Sequence, residues 1–166
     1  AELAHTQRAF RGVLYGGLML TQSGIRVVEF NARLGDPEAQ VILPRLDTDL
    51  IEIAHAISNR NLSRTKIAWN EKMCVGIVIT SRGYPDSYET GYSIDGLEQL
   101  GPDELVFHAG TTQFGDQKVT TGGRVLTVVG QGKDLRSARQ KAYATAAKLS
   151  FENVYYRQDI ANRAIS

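Results

Sequence analysis

Cysteine is almost missing from this chain. Cys74 is the single one among 166 residues, so no internal disulfide can form, and such usage fits a reducing compartment, the cytoplasm. No apolar run approaches the ~20 residues that a membrane span needs. The first residues show no basic stretch followed by an apolar one, so no signal peptide is expected. Neither sign of charge dominates. A net charge of +1 makes no general case for nucleic acid or a membrane surface as a partner. There is no internal repeat and no low-complexity segment. His5, His55 and His108 are far apart, without ligand spacing, and are expected to be structural or surface residues. Gly122-Gly123 has no helix opening behind it and no Lys-Ser/Thr after it, as a phosphate loop would. A hairpin turn is the expected reading.

What is present is ordinary for a globular chain: 42% apolar and 22% charged residues, enough for one or two small domains with a core. Residues 1–10 are expected to end a helix. Residues 12–20 and 25–33 read as two strands of a hairpin around Gln22-Ser23-Gly24, with Leu14, Leu18 and Leu20 on one side. Gly16-Gly17 inside the first strand suggests a close approach by a backbone or a ligand. Asp36-Pro37 is a helix-start signal, with Pro at the first helical position and interruption at Pro44. A second helix is expected from a cap near Asp47, with Leu50, Ile53, Ala54 and Ile57 as its apolar stripe. Residues 61–70 are polar and irregular, and the domain boundary is placed there, dividing 1–60 from 61–166.

Beyond the boundary, 72–80 is an apolar strand in which Cys74 is expected to be buried. Gly83-Tyr84-Pro85-Asp86 is turn chemistry. Residues 105–112, 118–121 and 124–129 read as strands. Asp134 is expected to cap a helix through Leu149, with Leu135, Ala138, Ala142, Ala146 and Leu149 inward. The basic residues of 133–141 are expected on its solvent side, and the aromatic tail 151–166 is expected to pack back. The pattern is α+β.

The stretch with the most chemistry is Glu29-Phe30-Asn31-Ala32-Arg33-Leu34-Gly35-Asp36-Pro37-Glu38-Ala39-Gln40. Strand alternation sends Glu29, Asn31 and Arg33 one way and Val28, Phe30 and Ala32 the other. A carboxylate and an amide carbonyl suit a hard cation held partly by substrate phosphates, and an Arg beyond them suits phosphate oxygens. The same alternation suits a solvated polar face on an edge strand. Arg33 is placed either against a phosphoryl group or in an ion pair with Asp36 or Glu38. Asp36 and Glu38 serve either the helix start or a substrate ammonium.

The whole string resembles the ATP-grasp signature of the phosphoribosylamine–glycine ligases, also called glycinamide ribonucleotide synthetases. Gly12-Val13-Leu14-Tyr15-Gly16-Gly17-Leu18-Met19 resembles that family's upstream strand. Gly83-Tyr84-Pro85, Phe107-His108-Ala109-Gly110-Thr111, Thr121-Gly122-Gly123-Arg124-Val125-Leu126 and Tyr156-Arg157-Gln158-Asp159-Ile160 follow in the family's order.

The resemblance covers nearly all of this chain but only the C-terminal part of a family member. With no initiator Met, the chain is expected to be a fragment lacking the N-terminal domain and the ATP-grasp lid. The implied fold is the C-terminal piece of an ATP-grasp domain, followed by a small antiparallel β domain of barrel-sandwich hybrid type with one long helix.

The implied activity is joining glycine to 5-phosphoribosylamine, with ATP as co-substrate and Mg²⁺ or Mn²⁺ as cofactor, in purine biosynthesis. Glu29 and Asn31 would be metal ligands, Glu29 spanning two ions through its two oxygens. Arg33 would be catalytic, and Asp36 and Glu38 would bind substrate. Many ATP-grasp enzymes carry a further Glu where Tyr15 stands. The fragment alone is expected to be inactive. Two alternatives remain: another ATP-grasp ligase, of carboxyaminoimidazole ribonucleotide synthetase or biotin carboxylase type, and a non-catalytic binding or scaffold module.

Overall fold

The structure, a computed structural model, describes residues 10–165. The helix end expected over 1–10 therefore lies outside the described residues, save Phe10, which belongs to no element. The chain forms two compact units: Ala1–Ala39 with Leu46–Asn70, and Gln40–Arg45 with Glu71–Ser166.

In the first unit, β1 (Tyr15–Thr21) and β2 (Gly24–Asn31) form an antiparallel hairpin. Gly24 sits at φ 100 and closes the turn, a conformation glycine adopts without strain. The register slips between Gly17 and Leu18, where Val28 is passed over. A bulge of this kind leaves one residue unpaired and breaks strict alternation. β2 stops at Asn31, short of the expected Arg33.

The apolar side chains of this hairpin do not form a core among the described residues: Leu18, Val28 and Phe30 are 57%, 65% and 64% exposed. α2 (Leu50–Ser58) is capped by Asp49, whose side chain accepts from the Ile51 N–H at 2.7 Å. Asp47, the expected cap, instead accepts from Asn70 Nδ2 at 3.3 Å, while its own N–H goes to the Ala68 carbonyl. Ala56 is the buried residue of α2, with Ile53 and Ile57 half-buried, whereas Leu50 and Ala54 are exposed. The inward stripe is thus rotated from the expected one.

A short helix α1 (Ala39–Ile42) precedes a 3-10 turn, Leu43–Arg45. It begins later than the Asp-Pro signal places it. Residues 36–38 form a turn, the Asp36–Pro37 peptide is cis, and the first helical bond runs from the Ala39 N–H to the Gly35 carbonyl at 3.0 Å.

The second unit is built on a four-stranded antiparallel sheet in the order β4 (Leu105–His108), β7 (Arg124–Gly132), β3 (Met73–Ser81), β8 (Val154–Tyr155). Val75, Ile77, Ile79 and Ser81 alternate into the core along β3. Its other face is half-covered: Val41 lies over Gly76, and Gln131 Nε2 donates to the Pro44 carbonyl at 3.1 Å. Cys74 is accordingly half-buried rather than buried.

α3 (Leu135–Ala146) starts as the sequence suggests, with Asp134 and Ser137 capping each other's N–H groups. It lays Ala138, Ala142 and Ala146, all fully buried, on the sheet. Leu149 and Phe151 complete that core, and the tail through Ile160 packs back on it.

The expected strand 105–112 is two. It breaks at Ala109-Gly110, after which β5 (Thr111–Phe114) pairs with β6 (Gln117–Thr120) in a separate hairpin. Gly122-Gly123 is therefore not a hairpin turn, because β6 and β7 belong to different sheets. It is a crossing, where Gly122 lies against Gly110 and Gly123 against the Tyr84 ring with no room for a Cβ.

Candidate functional site

The first unit brings most of the expected site residues to one end of the hairpin. Glu29 and Asn31 project from the same face of β2, and Asn31 Nδ2 donates to Glu29 Oε1 at 2.9 Å. The Asn31 carbonyl oxygen and the second Glu29 oxygen take no part in that bond. Arg33 lies past the strand end, exposed, with its NH1 donating to the Leu34 carbonyl at 2.8 Å. The chain then turns through exposed Asp36 to half-buried Glu38. Gly35 is buried beneath the Glu38 carboxylate, which a Cβ at Gly35 would strike.

A sixth residue joins this group. Tyr15 is paired with Asn31 across the hairpin, and its phenol is held above its ordinary pKa. Loss of hydration is the largest cause, followed by the charge of Glu38, a hydrogen bond to that carboxylate, and the charge of Glu29. The family resemblance drew attention to Tyr15 on the upstream strand, but the influence of Glu38 on its phenol depends on the turn after β2.

The donor chemistry fits a divalent cation that draws much of its coordination from phosphate and water. Among the described residues no three His, Cys, Asp or Glu side chains gather as a protein cage.

Among the described residues no histidine joins a metal-ligating cluster. His5 lies outside the described residues, and His55 is exposed on α2. His108 Nδ1 is 2.9 Å from Thr111 Oγ1, its pKa lowered by partial burial and then by Lys118. In the second unit, a groove of about 720 Å³ is lined by Arg136, Arg139, Gln140, Tyr143, Asn162 and Ile165. Arg139 is not simply solvated there, as the basic run suggested. It donates to the Ile160 and Gln158 carbonyls at 2.9 and 2.8 Å and lies over the Tyr143 ring, tying the tail to α3.

Residues 74–163 match the phosphoribosylglycinamide synthetase C domain, and residues 1–39 match that enzyme's ATP-grasp (A) domain. The chain belongs to the phosphoribosylglycinamide synthetase family. A phosphoribosylamine–glycine ligase of Halalkalibacterium halodurans is 46% identical over 164 residues, covering 99% of this chain and 38% of the relative. The trifunctional purine biosynthetic protein adenosine-3 of Gallus gallus is 47% identical over 161 residues, 95% of this chain and 16% of that protein. The crystal structure of the Thermotoga maritima phosphoribosylamine–glycine ligase superposes with a TM-score of 0.70 at 37% identity, covering 89% of this chain and 36% of that one. The synthetase-family chain described here thus spans well under half the length of these relatives. Its mixed α/β architecture, with antiparallel sheets, is that of the family. Among the described residues no helix is long and apolar enough to cross a membrane.

Proposed function

We propose that this chain is the C-terminal part of an ATP-dependent ligase that joins glycine to 5-phosphoribosylamine in the cytoplasm. Residues 1–60 would complete its ATP-grasp core, and 61–166 would form its C-terminal, barrel-sandwich hybrid-like domain. In the reaction, a glycine carboxylate oxygen attacks the γ-phosphorus of ATP and ADP leaves. The nitrogen of phosphoribosylamine then attacks the carbonyl carbon of the glycyl phosphate, losing a proton as phosphate departs. Such chemistry asks the protein for positioning and charge neutralisation rather than for a nucleophile.

The observation that carries this reading is the Glu29–Asn31 pair on β2, whose hydrogen bond engages the Asn31 amide N–H and one Glu29 oxygen and spares the other two side-chain oxygens. Glu29 and Asn31 would hold Mg²⁺ or Mn²⁺. When bound, that ion neutralises charge on the ATP phosphates. Arg33, steadied at one end by the Leu34 carbonyl, directs its remaining N–H donors at the transferring phosphoryl group. Asp36 and Glu38 receive a substrate ammonium. The exposed apolar side of the hairpin, with Leu18, Val28 and Phe30, is where the rest of the catalytic core would pack. The isolated fragment would therefore lack activity.

The test is Glu29→Gln in the full-length enzyme. Shape is kept and charge is lost, so kcat is expected to fall at least ~100-fold, the scale of one preorganised electrostatic group, with folding unchanged. Near-normal turnover at ordinary Mg²⁺ would contradict the assignment.

A further inference from the structure

Glycine stands twice inside β1, at Gly16 and Gly17, although it weakens a strand. Neither takes a positive φ, so the backbone conformation does not require it. What Gly17 faces is Glu29. The two are opposite in the hairpin register, and opposed residues of an antiparallel pair share a face. The bulge sets this pairing: without it, the Leu18–Val27 register would continue to Gly17 opposite Val28. Gly16 belongs to the other face, where a Cβ would meet the Phe30 ring at 3.3 Å.

A Cβ on Gly17 would lie 3.2 Å from the Glu29 Cγ, with the Glu29 backbone oxygen and nitrogen at 3.7 and 3.8 Å. The Glu29 methylene thus lies against bare backbone, and from there Oε1 accepts from Asn31 Nδ2 at 2.9 Å.

We propose that Gly17 is a positioning residue: its lack of a side chain lets Glu29 lie across the hairpin and stay hydrogen-bonded to Asn31, which keeps the two oxygen ligands together for a divalent cation. This rests on the reading above that Glu29 and Asn31 hold the ion.

The distances say what a side chain at 17 would disturb. Non-bonded carbons settle about 3.5–4.0 Å apart, so a methyl there moves the Glu29 Cγ by ~0.5 Å. The Glu29 backbone atoms are already at ordinary distance, so the side chain is what gives way. No Asn31 atom is among the three nearest, so the shift falls on the Glu29–Asn31 bond. A displacement of ~0.5 Å is the tolerance of a functional constellation, and the branched side chain of Val exceeds it.

The experiment measures ATP binding to the full-length enzyme by titration calorimetry, with glycine withheld so that nothing turns over, once in Mn²⁺ and once without it. The ratio of the two affinities is the cation's own contribution. Gly17→Val should cut that ratio ~10-fold or more, the scale for a group that orients a metal ligand, and leave the metal-free affinity unchanged. Its melting temperature should hold or rise, because Val suits a strand better than glycine. Gly17→Ala should lose less in the same direction, and it carries the test if Gly17→Val does not fold. Added to Glu29→Gln, Gly17→Val should cost nothing more, because it acts through Glu29.

A wild-type ratio in Gly17→Val, an equal fall in the metal-free affinity, or losses that multiply in the double variant would overturn the proposal while leaving the wider site intact. A Glu29→Gln enzyme that keeps the full ratio would instead remove the site reading, and this proposal with it.

Discussion

Gly130→Ala should loosen the second unit more than any single methyl group suggests. Gly130 lies on β7 beneath α3. A Cβ there would fall 2.9 Å from the Ala142 Cα and closer still to the Ala138 carbonyl oxygen and the Ala142 nitrogen. Every one of these atoms is backbone, so no rotamer change relieves the contact. The helix itself has to lift from the sheet, and Ala138, Ala142 and Ala146, all at 0% exposure, lose contact together. Overpacking costs about 1–3 kcal/mol where side chains can adjust, and a rigid helix puts this site at the upper end, ~3 kcal/mol.

Hydrogen exchange of amides within α3 reads that loss directly, because deeply packed amides exchange through opening of the unit. Protection should fall ~100-fold, each ~1.4 kcal/mol being tenfold. Gly101→Ala is the control. Its Cβ would meet the Glu104 carboxylate at an ordinary 3.6 Å, and the change should stay within ~0.5 kcal/mol. If Gly130→Ala and Gly101→Ala exchange alike, the tight helix–sheet contact does not exist.

Two further outcomes follow from charge. Glu104 accepts from the Gly101 N–H, Lys148 Nζ and Thr145 Oγ1, and its pKa is held down from 4.5 to about 2. A depressed carboxylate stabilises the fold above its unfolded value, so stability should decline as pH falls from about 4.5 toward 2. Denaturant melts of Glu104→Gln over that range should lose part of this slope, and an unchanged slope would place the acid sensitivity elsewhere. Arg33→Lys in the full-length enzyme keeps the charge but loses the planar fork. It should lower kcat ~10–100-fold, or about 1.4–2.7 kcal/mol of barrier, with little change in KM for ATP or glycine. A lowered melting temperature with unchanged kcat would make Arg33 scaffolding.

The sequence made the second unit's frame legible where signals were local. The alternation Val75, Ile77, Ile79 and the capping pair Asp134–Ser137 both depend on residues close in sequence. It failed where pairing is long-range. Gly122-Gly123 reads as a hairpin turn until β6 is seen to pair back with β5 and β7 with β3 and β4. The cap of α2 was two residues off because Asp47 and Asp49 are equivalent locally. Contacts with a distant loop, through Asn70 Nδ2 and the Ala68 carbonyl, take Asp47 away.

In the candidate site, strand alternation predicts Glu29 and Asn31 side by side, and they are hydrogen-bonded. The influence of Glu38 on the Tyr15 phenol was hidden, since it joins a strand to a turn that periodicity does not describe. The apolar face of the hairpin was recognisable as amphipathic, and among the described residues it stays exposed.

The most direct test is phosphate release from ATP by the full-length enzyme, with a panel of small carboxylic acids and amines offered in turn. Release that needs both glycine and 5-phosphoribosylamine, with glycinamide ribonucleotide formed in equal amount, is the predicted result. Release that depends on a different carboxylate, or proceeds without either substrate, would contradict the account.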